Sequence, residues 1–436
     1  MNTRRDLLIT AGACLLLAGT VAAPALDKFA VADVTKREFF PILPWDPLRG
    51  WDGQGRECET NGLKSMTECH FNMAGFVLAK DLPECRALGL GAIVVPPPES
   101  GSATSSQTQW KQLTDEEIDR RIRAMVKYAG SSPAVKGYFI MDEPGVSDFP
   151  ALAKAVAAVK KYAPGKLAYI NLFPDYATTG PPATSQLGMS SYTEYLERFV
   201  ADVHPQMLSY DNYTVQYSGD LKDRATGASY FRNLLEVRRV AQKHGLPYLQ
   251  IVASTQILPA HPIPSPANLA VQAYTTLAAG CRGVTWYTYY DRGYHYASID
   301  SKGQRTPTWG YLCEVNRQVA ALAPVLSKLA STGIYFSAPP PAEGLPLLPG
   351  QVIEAVGSST PVMVGEFRSP QGEMYSLLVN LSLERSAKVE VKTKEGMGVL
   401  GLISAMDGKL RPMPQEKAGL WLTAGQGVLI QARPLP

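Results

Sequence analysis

One stretch constrains this chain more than any other: Val135-Lys136-Gly137-Tyr138-Phe139-Ile140-Met141-Asp142-Glu143-Pro144. A near-continuous apolar run without strand alternation is the pattern of a strand buried on both faces. Such strands occur in parallel sheets that helices cover on the outside. The run stops abruptly in two carboxylates and a proline. A packed strand does not need Asp142 or Glu143. In parallel α/β barrels, chemical groups sit at the carboxyl ends of strands, so the doublet reads as placed for chemistry.

The rest of the first three quarters repeats the same pattern. Phe39 to Trp45, Met73 to Leu78 and Ala92 to Val95 read as strands. So do Leu167 to Leu172, Met207 to Tyr210, Tyr248 to Ala253 and Gly283 to Tyr287. Between them lie amphipathic helices with recognisable ends. Thr114 and Glu117 form a capping box for a helix running to about Tyr128. Gly89 and Gly245 read as helix stops. The last helix of the series reads from about Trp309 to Ala330. Eight strands alternating with helices predict an α/β fold, a (β/α)8 TIM barrel over 26–333. Proline-rich punctuation follows at Ala338 to Pro341 and Pro346 to Gly350. Beyond it, Val362 to Phe367, Met374 to Asn380, Lys388 to Val391 and Gly427 to Gln431 read as short strands. They predict a small all-β sandwich domain over 334–436.

Residues 1–25 read as an export signal. Arg4-Arg5 precedes an apolar segment from Leu7 to Ala23, with Ala23-Pro24-Ala25 as the cleavage site. The arginine pair points to the twin-arginine route of bacteria, and an ordinary secretory signal is the alternative. Either reading predicts a periplasmic or secreted protein. No later segment has the ~20 apolar residues that cross a membrane. If Cys14 leaves with the signal, Cys58, Cys69, Cys85, Cys281 and Cys313 remain. Cys58–Cys69 and Cys281–Cys313 are the nearest pairings by spacing. No CxxC occurs.

Charge narrows the function classes. The net charge is +3, from 42 basic and 39 acidic residues, with no basic run, so no nucleic-acid footprint is visible. Five histidines without HxH or HExxH spacing argue against a metal site. There is no GxGxxG, no phosphate loop and no GxSxG, so no cofactor and no serine nucleophile are predicted.

What remains is carboxylate chemistry. Glu143 is the candidate general acid/base, because burial at a strand end and the adjacent Asp142 both raise its pKa. The bland alternative is a helix-dipole role for the doublet. Side chains alternate along a strand, so both can line one cleft only through a bend at the strand end, which Pro144 would help. Asp211, in Asp211-Asn212-Tyr213 after the sixth strand, is the third carboxylate, or merely a turn residue. Trp45, Asp46, Asp175, Tyr210, Trp286, Tyr289, Tyr290 and Asp291 also fall at predicted upper strand ends. Aromatic rings there would stack on the C–H faces of sugars. A carbohydrate is thus the predicted partner. The sequence carries no signal for oligomeric state.

The Asp142-Glu143-Pro144 tip resembles the Asn-Glu-Pro of the fourth strand in clan A glycoside hydrolases. That resemblance implies an acid/base role for Glu143. The Asp-Glu doublet also resembles that of N-acetylhexosaminidases, in which the aspartate orients an acetamido group. Tyr210-Asp211 and Trp286 are similar in placement to residues of chitinase-like barrels. Two features depart from these patterns. Clan A enzymes carry a nucleophilic glutamate at the end of strand seven, where this chain reads Leu249-Gln250-Ile251-Val252-Ala253-Ser254-Thr255-Gln256. The spaced aspartates of chitinases are also missing. The second group is then Asp142 with substrate assistance, Asp211, or a carboxylate from the first or eighth strand. The rival reading is a non-catalytic carbohydrate-binding or cell-surface protein. A lyase or isomerase is a third, without a locatable metal site or lysine base.

Overall fold

The computed structural model describes residues 34, 36, 38–48, 62–96, 109–217, 227–259, 261–414 and 419–435. The export segment, its cleavage site and Cys58 lie outside the described residues.

Eight strands form the parallel part: β1 Ile42–Pro44, β2 Met73–Val77, β3 Gly91–Val94, β4 Val135–Asp142, β5 Leu167–Asn171, β6 Leu208–Asp211, β7 Tyr248–Ala253 and β8 Val284–Tyr287. They make two four-stranded sheets, ordered β2-β3-β4-β5 and β1-β8-β7-β6. All pairings within them are parallel. The helices are α1 Leu63–Glu68, α2 Leu82–Leu88, α3 Asp115–Ala129, α4 Phe149–Tyr162, α5 Tyr192–Val203, α6 Gly227–Lys243, α7 Pro266–Ala279 and α8 Pro307–Leu326. Their starts are locally specified. Thr114 Oγ1 accepts the Glu117 N–H at 3.3 Å, while Glu117 accepts from the Thr114 N–H at 2.8 Å. Ser191 and Ser265 cap α5 and α7 in the same sense.

The two sheets meet at two seams. Between β5 and β6 a parallel bridge, Leu172 with Tyr210, carries the pairing across. Between β1 and β2 no ladder forms among the described residues, and Asn72 substitutes for it. Its Oδ1 accepts the Ile42 N–H at 2.8 Å, and its Nδ2 donates to the Phe40 carbonyl at 2.8 Å. Its own N–H donates to the Ile42 carbonyl at 3.3 Å. Gly75 permits this approach, since a Cβ there would stand 2.4 Å from the Asp46 carbonyl.

The space between the sheets is filled by side chains. Trp45 lies edge-on to Phe76 at 4.5 Å and to Tyr169 at 5.0 Å, and Phe139 packs on both Trp45 and Phe76. Leu43, Ile93, Leu249 and Ile251 complete this inner core. A second core surrounds it, between strands and helices.

The C-terminal part holds nine strands: β9 Ala330–Phe336, β10 Ile353–Ser358, β11 Val362–Arg368, β12 Met374–Asn380, β13 Ala387–Thr393, β14 Met397–Ile403, β15 Leu410–Arg411, β16 Leu420–Leu422 and β17 Gly427–Pro434. They form a six-stranded sheet, β15-β14-β17-β12-β11-β9, and a three-stranded sheet, β10-β13-β16. All their pairings are antiparallel. The expected long last helix is shorter than the sequence reading. It ends at Leu326, and 330–336 is already the edge strand β9. The pattern Ser331-Thr332-Gly333-Ile334-Tyr335 favours a strand through its β-branched and aromatic residues.

The six-stranded sheet is buried on both faces. Val364, Leu378 and Ile430 face the small sheet, whereas Met363, Leu377 and Leu429 face the helices. Helix α7 is the contact. It is buried all round from Asn268 to Ala279, unlike the one-sided outer helices. A Cβ on Gly365 would stand 2.0 Å from the Ala278 carbonyl, so β11 lies directly on α7.

The seam makes Asn72 a point of weakness. Asn72→Ala removes both side-chain bonds and leaves Ile42 N–H and Phe40 C=O unpaired. We expect a loss of about 1–3 kcal/mol in urea denaturation, with Asn72→Asp losing less because it keeps the Ile42 bond. A change in both variants below about 0.5 kcal/mol would mean that packing alone holds the seam.

Candidate active site

The carboxyl ends of β4, β5 and β6 carry Asp142, Asn171 and Asp211. Asp142 and Asn171 are register partners, so their side chains leave the same face side by side. Inward parity runs Tyr169-Asn171 on β5 and Ser209-Asp211 on β6. A buried amide joins them. Asn171 Nδ2 donates one hydrogen to Asp142 Oδ1 at 3.1 Å and the other to Asp211 Oδ1 at 2.8 Å. Its Oδ1 accepts from Ser209 Oγ at 3.0 Å, which fixes the amide's orientation.

Glu143 enters by a bend. Its φ is +47°, a left-handed conformation that is unusual for a residue with a Cβ. Its N–H donates to the Asn171 carbonyl at 2.8 Å. Pairing thus continues one residue past β4 while the side chain turns out of strand alternation. Asp142 and Glu143 can thereby serve one site. Tyr195 OH donates to the Pro144 carbonyl at 2.7 Å and anchors the turn from below.

The electrostatics follow from burial. Asp142 is raised to about 7, first by desolvation, then by the Glu143 charge, against the Asn171 hydrogen bond. Asp211 is raised well above the carboxylate range by desolvation and by the charges of Glu143 and Asp142. Glu143 is raised by desolvation and held back by a hydrogen bond from Asp211. Asp211 is 4% exposed, whereas Asp142 and Glu143 are half-buried. Like charges this close in a poorly solvated site cannot all ionise at neutral pH. Burial and the neighbouring charges therefore favour the protonated form of Asp211, which is hydrogen-bonded to Glu143.

Asp46 stands at the end of β1. It accepts from the Tyr290 N–H at 2.7 Å and from Arg292 Nε at 2.8 Å. Burial nevertheless lifts it to about 6. Tyr287 lies between the two acidic groups, and after burial and Tyr294 both Asp46 and Asp142 push its hydroxyl upward. Tyr213 stacks on Tyr287 with centroids 5.4 Å apart, and Tyr287 OH donates to Tyr294 OH at 3.0 Å. Asp175, after β5, is raised to about 6 by burial and bonds Ser229 Oγ at 2.7 Å.

The structure brings Asp142, Glu143, Asp211 and Asp46 to one end of the strands. Other residues proposed from sequence lie elsewhere. Trp45 is in the inner core, because its place on β1 points it at Phe76 and Tyr169. Tyr210 and Trp286 have the outward parity of β6 and β8 and pack under helices. Trp286 Nε1 donates to Asn316 of α8 at 2.9 Å. Tyr289 is buried against Ser65 and Trp309, whose side chains bond its hydroxyl at 2.9 and 3.0 Å. Asp291 folds onto its own turn, accepting the Gly293 N–H at 2.8 Å. None of the four aromatics offers a sugar-stacking face. Sequence reasoning missed Asn171, Tyr213, Arg292 and Tyr294. Asn171 had a signal, a lone amide closing the apolar run Leu167-Ala168-Tyr169-Ile170.

At the end of β7, Ser254 Oγ donates to the Thr288 carbonyl at 3.0 Å and Thr255 Oγ1 to the His295 carbonyl at 2.7 Å. That strand end is structural, with no carboxylate. Among the described residues no three His, Cys, Asp or Glu are grouped to hold a metal ion, and no helix is long and apolar enough to cross a membrane.

No family model and no curated protein matches this chain. Solved structures do. A family 42 β-galactosidase from G. stearothermophilus superposes with TM-score 0.59 at 8% identity, over 90% of this chain and 98% of its own. A family 5 glycoside hydrolase from Bacteroides vulgatus gives 0.55 at 12% identity, over 91% and 89%. A β-galactosidase from Marinomonas ef1 gives 0.47 at 12% identity, and there the match spans 64% of this chain and 60% of the other. The first two likenesses cover both the parallel and the antiparallel parts. The fold is that of these two glycoside hydrolases.

The raised carboxyls set a pH dependence. The folded protein holds the Asp142 proton more tightly than the unfolded chain, whose pKa is near 3.8. Stability must therefore fall as pH rises from about 4 to about 7, and stay lowered above. Asp142→Asn removes this contribution. Its urea midpoint should gain on the wild type across that window, with a constant difference beyond it. Parallel profiles from pH 4 to 8 would show that Asp142 ionises freely.

Proposed function

We propose that this chain hydrolyses O-glycosidic bonds of an oligo- or polysaccharide, with Glu143 as general acid/base. The observation that carries the reading is the buried triad Asp142–Asn171–Asp211 with Glu143 turned toward it. It is a proton store placed at strand ends, where this fold hosts chemistry. In this reading Glu143 gives its proton to the leaving oxygen and recovers it through Asp211. Ionised Asp142, 3.1 Å from the Asn171 amide, faces the positive charge that develops on the sugar, or orients a substrate group that attacks in its own molecule. The polar end of β7 supports a second carboxylate from β4 or β6 instead of a strand-seven nucleophile. Tyr213, Tyr287 and Tyr294 supply rings and hydroxyls for a sugar. The likeness to two glycoside hydrolases of the same fold supports the reaction class. We place catalysis in the parallel part and give the antiparallel sheets a packing role. The Arg4-Arg5 pair and the apolar segment after it support export.

The bare end of β7 also favours a second reading, a carbohydrate-binding protein without turnover. One experiment separates the two. Wild type and Glu143→Gln are compared for product release from a panel of aryl glycosides and bacterial and plant polysaccharides. Hydrolysis predicts turnover that falls roughly 10²-fold or more in the variant, with binding retained. Equal rates would remove Glu143 from the mechanism. Binding that survives the substitution, with no turnover by either protein, would favour the second reading.

A further inference from the structure

The seam that lacks a ladder is flanked by the first and last helices of the parallel part. Helix α1 leads into β2, and α8 packs on β1. Each carries a cysteine at their contact. Cys69 caps the end of α1 and is fully buried, and Cys313 is half-buried on α8. The two thiols are crossed over each other's backbone. Cys313 Sγ donates to the carbonyl of Glu68, the residue before Cys69, at 3.4 Å. Cys69 Sγ donates to the carbonyl of Trp309, one helical turn before Cys313, at 3.9 Å. Asn316 Nδ2 donates to the Cys69 carbonyl at 3.0 Å and holds the end of α1 on α8. Arg305 bonds Glu68 and lies 3.9 Å over the Trp309 ring, closing the contact on its outer side. The other two described cysteines are placed differently. Cys281 is buried beside Tyr248 and Arg238, and Cys85 is buried in α2. The spacing-based Cys281–Cys313 pairing is therefore corrected: Cys313 faces Cys69.

We propose that Cys69 and Cys313, thiols in this structure, form a disulfide that staples α1 to α8 across the β1–β2 seam. Cys313 is the attacking group. Contact with Cys69, helped by Arg305 and Arg317, lowers its thiol to about 7, while burial keeps Cys69 protonated. The oxidant is a small-molecule disulfide. The Cys313 thiolate attacks one sulfur of it and releases one thiolate, leaving a mixed disulfide. Cys69 loses its proton and attacks the Cys313 sulfur, and the second reagent thiolate leaves. Two protons pass to the released thiolates. The protein loses two electrons and the reagent gains them. The bond would close a loop of almost the entire parallel part, where cross-linking restrains the unfolded chain most.

The test is peptide mapping of the full chain. Protein is held in oxidised glutathione or in dithiothreitol, then unfolded, alkylated and digested. The proposal predicts a Cys69–Cys313 cross-linked peptide in the oxidised sample only, with Cys85 and Cys281 alkylated in both. It also predicts a Tm higher by about 3 °C or more when oxidised, a difference that vanishes in Cys313→Ser. Alkylated Cys69 and Cys313 in the oxidised sample would overturn it. So would a cross-link of Cys69 to Cys58 or of Cys313 to Cys281. The mapping is done on wild type, so the result does not depend on the variant folding.

Discussion

The Asn171 amide is the interaction on which the acidic site depends. Three carboxyl groups crowd the ends of the two strands that flank β5 and the turn after one of them. Burial makes each costly to ionise, and proximity makes them costly to ionise together. Asn171 spends both hydrogens on Asp142 and Asp211, and Ser209 keeps the amide from rotating. The bonds hold two acidic side chains at fixed positions without adding a charge. A lysine or arginine in the same place would have pulled both carboxyls down and emptied the proton store. A neutral bridge lets the pKa values stay high.

That arrangement needs a rigid floor. It is the ring cluster of Trp45, Phe76, Phe139 and Tyr169, one layer below along the same strands. Tyr169 precedes Asn171 by two residues, so ring and amide share one face of β5. Tyr169 OH and Ser209 Oγ also meet at 3.2 Å, which couples the floor to the site. The outer layers steady the strands in turn. Helix α7 is wedged between the strands and the six-stranded sheet, and its small and apolar residues let β11 approach to backbone contact. Tyr274 extends this link by bonding Gln318 at 2.7 Å and accepting from Gln426 at 2.8 Å. The antiparallel part thereby fixes the helix behind β7 and β8.

Much of this was legible in the chain. Continuous apolar runs marked β4, β5 and β7, because strands buried on both faces have no alternation to hide. Thr114 and Glu117 marked the start of α3 within one residue. The doublet at the end of β4 marked the site. The misplacements of Tyr210 and Trp286 have one cause. At a strand end, side chains one residue apart go to opposite faces, and sequence position alone does not say which face is the cleft. Asp211 went inward, so its neighbour Tyr210 went under a helix. Trp286 likewise faces α8 while Tyr287 faces the acids. Reading parity from Tyr169-Asn171 and Ser209-Asp211 would have sorted them, since a buried polar pair two apart identifies the interior. The strands β9, β10, β15 and β16 were hidden for another reason. They are short or edge strands whose half-polar patterns resemble loops.

The bend at Glu143 shows why the doublet is not an ordinary strand end. Regular alternation would have sent Glu143 outward, toward the helices. A left-handed residue with a side chain costs about 1 kcal/mol, and here it is held by two bonds at its borders, Glu143 N–H to Asn171 and Tyr195 OH to Pro144. Asparagine or glycine would have made the same turn with less strain. Neither could hold a proton. Strain tolerated at a position where a milder residue would serve the fold points to the carboxyl as the reason for the residue. With β7 ending in hydroxyls tied to backbone carbonyls, the raised carboxyls among the described residues at these strand ends are Asp142 and Glu143 after β4, Asp175 after β5, Asp211 on β6 and Asp46 after β1. The geometry therefore departs from a nucleophile on one side and an acid on the other. It is a single acidic cluster beside the stacked rings of Tyr213 and Tyr287.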